Sequence, residues 1–377
     1  MKPRVLHVIT VYNGRAFVPR AIRSAMQMDR TGAEIDVLVL DDASPEPGWS
    51  DELQAICSKS GAYYYLTPRN LGIPRNVSLG LRTAIEKGYD YVTINNSDVI
   101  FPNNLINVLL NCCCAEKVGS VTAWSNNVSI YSLPNSDPDS NLASQTTVDF
   151  ISEVLEASHA STVVDIPAGI SFCIMMPVSA VKAIGLMDPI FGRGYCEETD
   201  WSIRSLQMGY RVCLAPGAFV YHQGRGSNLA AGLVSGAHST VPENEVIIDK
   251  RYPNFRRTVA DFQSTGRMEA LQERAIADII RHAAKRFGYA IIPEWNQSNL
   301  KLDASAVRVE IRPSEALPHL RIAYAGFEER KPILDNEFVD QIISRFGPET
   351  LVYNGFNGLS GNESDRILEA SYPRSVW

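Results

Sequence analysis

Short β-branched runs alternate with stretches of helical spacing through the first third of the chain, and this alternation most constrains what it can fold into. Strands that alternate with helices form a mostly parallel sheet covered by helices. Residues 5–11, 35–40, 62–66 and 91–94 read as strands, with 5–11 expected at the centre of the sheet. Residues 17–28, 74–86 and 104–114 read as helices. Phe17, Ala21, Ile22, Ala25 and Met26 recur at helical spacing in the first, and Pro74 suits the first turn of the second.

Further along, residues 125–144 are rich in Asn, Ser, Pro and Asp and read as a long surface loop of the kind that serves as a flap. A strand over 170–176, helices over 178–184 and 198–208 and a short strand at 219–221 follow. Residues 230–239 turn small and glycine-rich. Met268, Leu271, Ala275, Ile279 and Ala283 then mark an amphipathic helix over 268–287, closed by Pro293. Strand-like runs at 307–311 and 320–325 and a helix over 338–346 complete the pattern. The expected division is a catalytic domain over 1–230, a helical extension over 231–295, acceptor-side or packing, and an accessory region over 296–377.

The strand-like runs end in polar clusters. These are Thr10-Val11-Tyr12-Asn13, Asp41-Asp42-Ala43-Ser44, Asn95-Asn96-Ser97-Asp98 and Val220-Tyr221-His222, with Glu197-Glu198-Thr199-Asp200 opening a helix between the last two. In an open α/β sheet the carboxyl ends of the strands border one crevice, where ligands bind. Acidic groups and a histidine gathered there point to a divalent cation and a phosphorylated ligand.

Composition removes several classes. A formal net charge of −7 argues against nucleic acid, which calls for a basic stripe. The seven cysteines lack the paired spacing of a zinc site. The apolar stretch 166–177 falls far short of the roughly 20 residues that span a bilayer. No secretory leader precedes the first strand, so a cytoplasmic protein is expected, with the inner face of a membrane as one place for it to work. A homo-oligomer stays open.

Each cluster carries a structural reading beside the chemical one. Asp42 can accept hydrogen bonds from a base imide or a ribose hydroxyl, yet Asp also favours turns. Residues 11–15 lack the Gly-x-Gly-x-x-Gly of a dinucleotide fold. Asn96 and Asp98, two residues apart, offer oxygen ligands to a hard cation, and His222 would suit manganese at least as well as magnesium. Three carboxylates at 197–200 exceed what a helix dipole requires, and crowding raises the pKa of one of them toward that of a general base.

Taken as an ordered set, residues 8–13, 40–44, 69–72, 94–102, 185–188, 197–204, 209–212 and His222 resemble the inverting nucleotide-sugar glycosyltransferases of family 2, which have the GT-A fold. The likeness covers residues 4–228 and is strongest to the rhamnosyl- and galactofuranosyltransferase branch. It implies that Thr10, Tyr12, Asn13, Asp42, Asn70, Arg75 and Asn96 line the nucleotide-sugar pocket. It implies that Asp98 and His222 hold Mn2+ or Mg2+, and that Glu198 is the base, with Asp200 as the alternative. Arg204 or Arg225 could add a cation near the phosphates.

The implied donor is a UDP- or dTDP-linked sugar, rhamnose among the candidates. The implied acceptor is a glycan or lipid-linked saccharide in polysaccharide biosynthesis. Two other readings were set against this one. A sugar-phosphate nucleotidyltransferase needs a glycine-rich, arginine-bearing loop after the first strand, for which residues 12–15 are a poor substitute. A catalytically weakened sugar-nucleotide-binding scaffold would account for Asn96 and Glu198 where the family has aspartates.

Overall fold

The run Arg4–Val11 forms β1, flanked by β2 (Glu34–Asp41) and β4 (Tyr91–Asn95) and parallel to both, so it is central as expected. The computed structural model describes residues 2–128, 130–133, 140–224, 241–287, 289–292, 307–312, 319–332 and 351–353. It divides into two units, residues 1–132 with 143–268, and residues 133–142 with 269–377.

In the first unit β3 (Tyr63–Leu66), β5 (Val99–Ile100), β6 (Val118–Ser125), β7 (Val164–Asp165), β8 (Cys173–Pro177) and β9 (Arg211–His222) complete the sheet. The strand order is β3-β2-β1-β4-β8-β6-β9-β5, with β7 paired to β9. Strands β1 to β4, β6 and β9 run one way, and β5, β7 and β8 the other. The result is the expected mixed, mostly parallel sheet flanked by helices.

Alternate residues of β1 pack on opposite faces. Val5, Ile9 and Val11 join one core with α1 (Val18–Gln27), α2 (Trp49–Ser60) and α4 (Leu105–Cys113). Leu6 and Val8 join another with α3 (Ile73–Glu86) and α6 (Val178–Ile184). Burial on both faces explains why the strands read as nearly continuous apolar runs.

Several elements differ from the sequence expectation. All eight residues of β6 are buried, Ser120, Thr122 and Ser125 included, and those polar residues disguise it. The expected loop over 125–144 therefore begins one residue later, and residues 134–139 lie outside the described residues. Helix α5 (Gln145–His159) follows, capped by Ser144, whose hydroxyl accepts from the Thr147 amide; its polar first turn looks like more loop. The expected three-residue strand at 219–221 is the end of the twelve-residue β9. The glycine-rich stretch at 230–239, Arg225, Pro293 and the helix expected over 338–346 lie outside the described residues.

After α7 (Glu197–Gln207), two further helices fill part of the interval before residue 268: α8 (Pro242–Arg251) and α9 (Phe255–Ser264). The second unit contains most of α10 (Arg267–Phe287) and a five-stranded sheet of order β13-β12-β11-β10-β14. Its strands are β10 (Tyr289–Ile292), β11 (Val307–Arg312), β12 (His319–Tyr324), β13 (Phe327–Pro332) and β14 (Leu351–Tyr353). Phe287 stacks on Tyr324 with ring centroids 5.9 Å apart. No described helix is long and apolar enough to cross a membrane.

Candidate active site

Three of the expected residues meet where β4 ends and β9 arrives. Strand β5 pairs Val99 with His222 and so brings Asp98 beside it. Asp98 Oδ1 lies 3.2 Å from His222 Nε2, and Asn96 Nδ2 lies 3.2 Å from the same nitrogen. His222 Nδ1 lies 3.0 Å from the Asn127 carbonyl oxygen. A carbonyl only accepts, so Nδ1 carries the proton and Nε2 presents its lone pair.

Asn96 Nδ2 donates to that nitrogen, and beside it stands Asp98 Oδ1, a carboxylate oxygen which is buried and receives no hydrogen bond. Two electron-rich atoms held 3.2 Å apart in a site 1% exposed at Asp98 call for a positive charge between them. The donor set, a carboxylate oxygen, an imidazole nitrogen oriented by a carbonyl, and an adjacent amide, fits a divalent cation. Among the described residues no three His, Cys, Asp or Glu side chains form a complete cage. Burial pushes the Asp98 carboxyl up, but when His222 is protonated its charge outweighs that burial and holds the carboxyl below the usual range.

Residues outside the expected set build this corner. Asn126 Oδ1 accepts from the His222 amide at 2.7 Å while its Nδ2 donates to the His222 carbonyl at 2.9 Å. Phe172 stacks on the His222 ring at 5.6 Å, and its carbonyl accepts from the Asn96 amide at 2.9 Å. The signal for Asn126 and Asn127 was present in the sequence: a polar pair directly after a strand, like the other clusters.

The Asp-Asp pair splits into two roles. Asp41 accepts from Ser44 (amide and hydroxyl), Ser50 and Tyr64, so it organises the turn after β2. Asp42 accepts from the backbone amides of Leu71 at 2.7 Å and Gly72 at 2.9 Å and from Thr67 Oγ1. Burial raises its pKa despite these bonds. Asp42 thus shapes the turn that carries Asn70 and leads into α3, whose third residue is Arg75; both are exposed. Asn13, at φ +59, ties the β1 turn to the next one, receiving through Oδ1 from Glu46 and donating its amide to Ser44. Tyr12 beside it is half-buried, and Thr10 Oγ1 donates to the Asn95 carbonyl at 3.2 Å.

The acidic helix α7 separates its carboxylates. Asp200, fully buried, accepts from Arg204 Nε at 2.9 Å, Arg251 Nη1 at 2.9 Å and Tyr252 OH at 2.8 Å. Arg204 also donates to the carbonyls of Ile184 and Leu186, which occupies the guanidinium expected near the phosphates. Among the described residues Glu197 and Glu198 have no arginine or tyrosine on their oxygens. Their carboxyl groups meet each other, and the Oε2 atom of each is buried without a hydrogen bond. Burial first, and the Glu198 charge second, hold the Glu197 carboxyl well above the usual range; burial raises Glu198 as well.

Residues 7–146 match the model of the protein family described as Glycosyl transferase family 2. No curated protein matches the chain. Among solved structures, the chain is similar to GalNAc-T7 with UDP, GalNAc and Mn2+, at 13% identity and a TM-score of 0.46, over 59% of this chain and 44% of that one. It is also similar to the mannosyltransferase PcManGT from Pyrobaculum calidifontis in complex with GDP-Man and Mn2+, at 15% identity and a TM-score of 0.45. That second match spans 74% of this chain and 75% of the other. The chain thus spans less than half the length of the first of these structures.

Proposed function

We propose that the chain is a metal-dependent inverting glycosyltransferase. It would move a sugar from a UDP- or dTDP-linked donor, rhamnose among the candidates, to a hydroxyl of a glycan or lipid-linked saccharide. The observation that carries this reading is the buried Asp98 Oδ1, which receives no hydrogen bond, 3.2 Å from His222 Nε2, in a chain whose residues 7–146 match family 2.

The acceptor hydroxyl attacks the anomeric carbon from the side opposite the diphosphate. The new C–O bond forms as the bond to the leaving diphosphate oxygen breaks, and the configuration inverts. Glu198 takes the hydroxyl proton: burial raises its pKa above the usual carboxylate value, which strengthens it as a base, and it has no competing cation among the described residues. A divalent ion bound by Asp98 and His222 would neutralise charge on the leaving diphosphate. Asn96 orients His222, and the turn held by Asp42 presents Asn70 and Arg75 to the nucleotide.

The test is a thermal-shift panel of UDP-, dTDP- and GDP-sugars with and without manganese, followed by turnover of the stabilising donor. Stabilisation by one nucleotide class only when manganese is present, with turnover lost in EDTA and restored by manganese, is the expected result. Full turnover in chelator would remove the metal role from Asp98 and His222.

A further inference from the structure

Residues 191–196, which lead directly into Glu197 and Glu198, have an unusual backbone. Gly192, Gly194, Tyr195 and Cys196 all adopt positive φ, at +60, +137, +72 and +74. For Tyr195 and Cys196 this is strained, of the kind that persists only where surroundings enforce it. The enforcing group lies on α8. Asn244, 7% exposed, donates its side-chain amide to the carbonyls of Phe191 at 3.0 Å, Gly194 at 2.7 Å and Tyr195 at 3.0 Å. One side chain therefore satisfies three successive bends of the loop.

The loop also touches the Asp42 turn. Ile73 donates its amide to the Arg193 carbonyl at 3.1 Å, and a Cβ on Gly72 would stand 2.3 Å from the Gly192 oxygen. Asp42 holds the other side of that turn through Leu71 and Gly72. A continuous chain of contacts thus runs from Asp42 through residues 71–73 and 191–196 to the acidic helix, with Asn244 as its stake. The far end of α8 is fastened separately, by Arg251 to Asp188 and Asp200.

We propose that Asn244 is a positioning residue: it pins residues 191–196 in the one conformation that keeps Glu198 in register with the pocket behind Asp42. The proposal rests on the reading of Glu198 as the base. Asparagine suits the task because its amide offers two protons to converging carbonyls and brings no charge to a buried loop.

The test is alkylation of Cys196, half-buried in the strained loop, measured by peptide mass spectrometry with the exposed Cys114 as internal reference. In Asn244→Ala, Cys196 labelling is expected to speed up about tenfold while Cys114 is unchanged, as for a local opening. Turnover of the donor found by the panel should fall about tenfold with its KM held within about twofold. Asn244→Asp, which sets a carboxylate against three carbonyl oxygens, should fall further, and Asn244→Gln should recover part of the loss.

Equal Cys196 labelling in the two proteins overturns the proposal, as does faster labelling with unchanged turnover. If Asn244→Ala does not fold, Tyr195→Gly provides the second arm, because glycine accepts positive φ without strain. The Tyr195→Gly, Asn244→Ala double variant should then fold where Asn244→Ala alone does not. A double variant that remains unfolded also overturns it. Undiminished turnover in Glu198→Gln would instead defeat the base assignment and leave the labelling result standing.

Discussion

The two halves of the first turn of α7 treat carboxylates in opposite ways. Asp200 is fully buried and saturated, with two arginines and a tyrosine on its oxygens. Glu197 and Glu198, three and two residues earlier, have no such cation among the described residues: their carboxyl groups meet each other and nearby backbone amides. A carboxylate whose oxygens are all engaged stabilises the fold and has little left to offer a substrate. One kept out of water and left unpaired costs stability and retains its reactivity. One four-residue cluster thus holds carboxylates in two opposite environments.

The largest expected effect follows from that division. Glu198→Gln should lower turnover by about a hundredfold or more, as loss of a general base does, while leaving donor affinity and melting temperature near their original values. Steady-state kinetics beside a thermal melt reads both. Near-normal turnover would return Asp200 to candidacy. Asp200→Asn makes the converse test. Breaking a buried ion pair from one side typically costs about 3 kcal/mol or more, which corresponds to a fall in melting temperature of roughly 10 °C. A melt unchanged by that substitution would break the comparison. Tyr252→Phe removes one bond to the same carboxylate and should cost about 1.5 kcal/mol in denaturant unfolding.

How much of this was legible in the sequence differs between fold and site. The strands β1, β2 and β4 were visible because both faces of the sheet are buried and leave apolar runs. Strand β6 was not, because Ser120, Thr122 and Ser125 occupy its buried positions, and so the role of Asn126 and Asn127 behind His222 was missed with it. Proximity of Asn96, Asp98 and His222 could be anticipated from their places after strands. The division of labour between Asp200 and its neighbours could not, since it depends on Arg251 and Tyr252, some fifty residues away. Asn244 had no sequence signal either: a lone asparagine near a helix start reads as a surface residue. Long-range partners decide what a carboxylate does, and spacing along the chain does not contain them.

The smallest effect sharpens the comparison through pH. Glu197 is held well above 4.5, first by burial and then by the Glu198 charge. Between 4.5 and its folded value, the folded state therefore binds more protons than the unfolded state. Stability associated with Glu197 is present below the unfolded value and is lost as pH rises through that window. Other charged and titratable groups near the Glu197 pair are few. The Cys196 thiol, itself pushed up to about 12 by burial, lies beside it, and Glu245 and Arg256 act on that thiol from α8 and α9. Glu197→Gln keeps the size of the side chain and cannot ionise, so it should gain on the wild type as pH rises above 4.5. The limiting slope is about 1.4 kcal/mol per pH unit. Unfolding free energies of the two proteins, measured by denaturant titration from pH 4.5 to 7, should diverge upward in favour of the variant. Parallel curves would mean that Glu197 is ionised in the folded protein and that the unpaired half of α7 is paired after all.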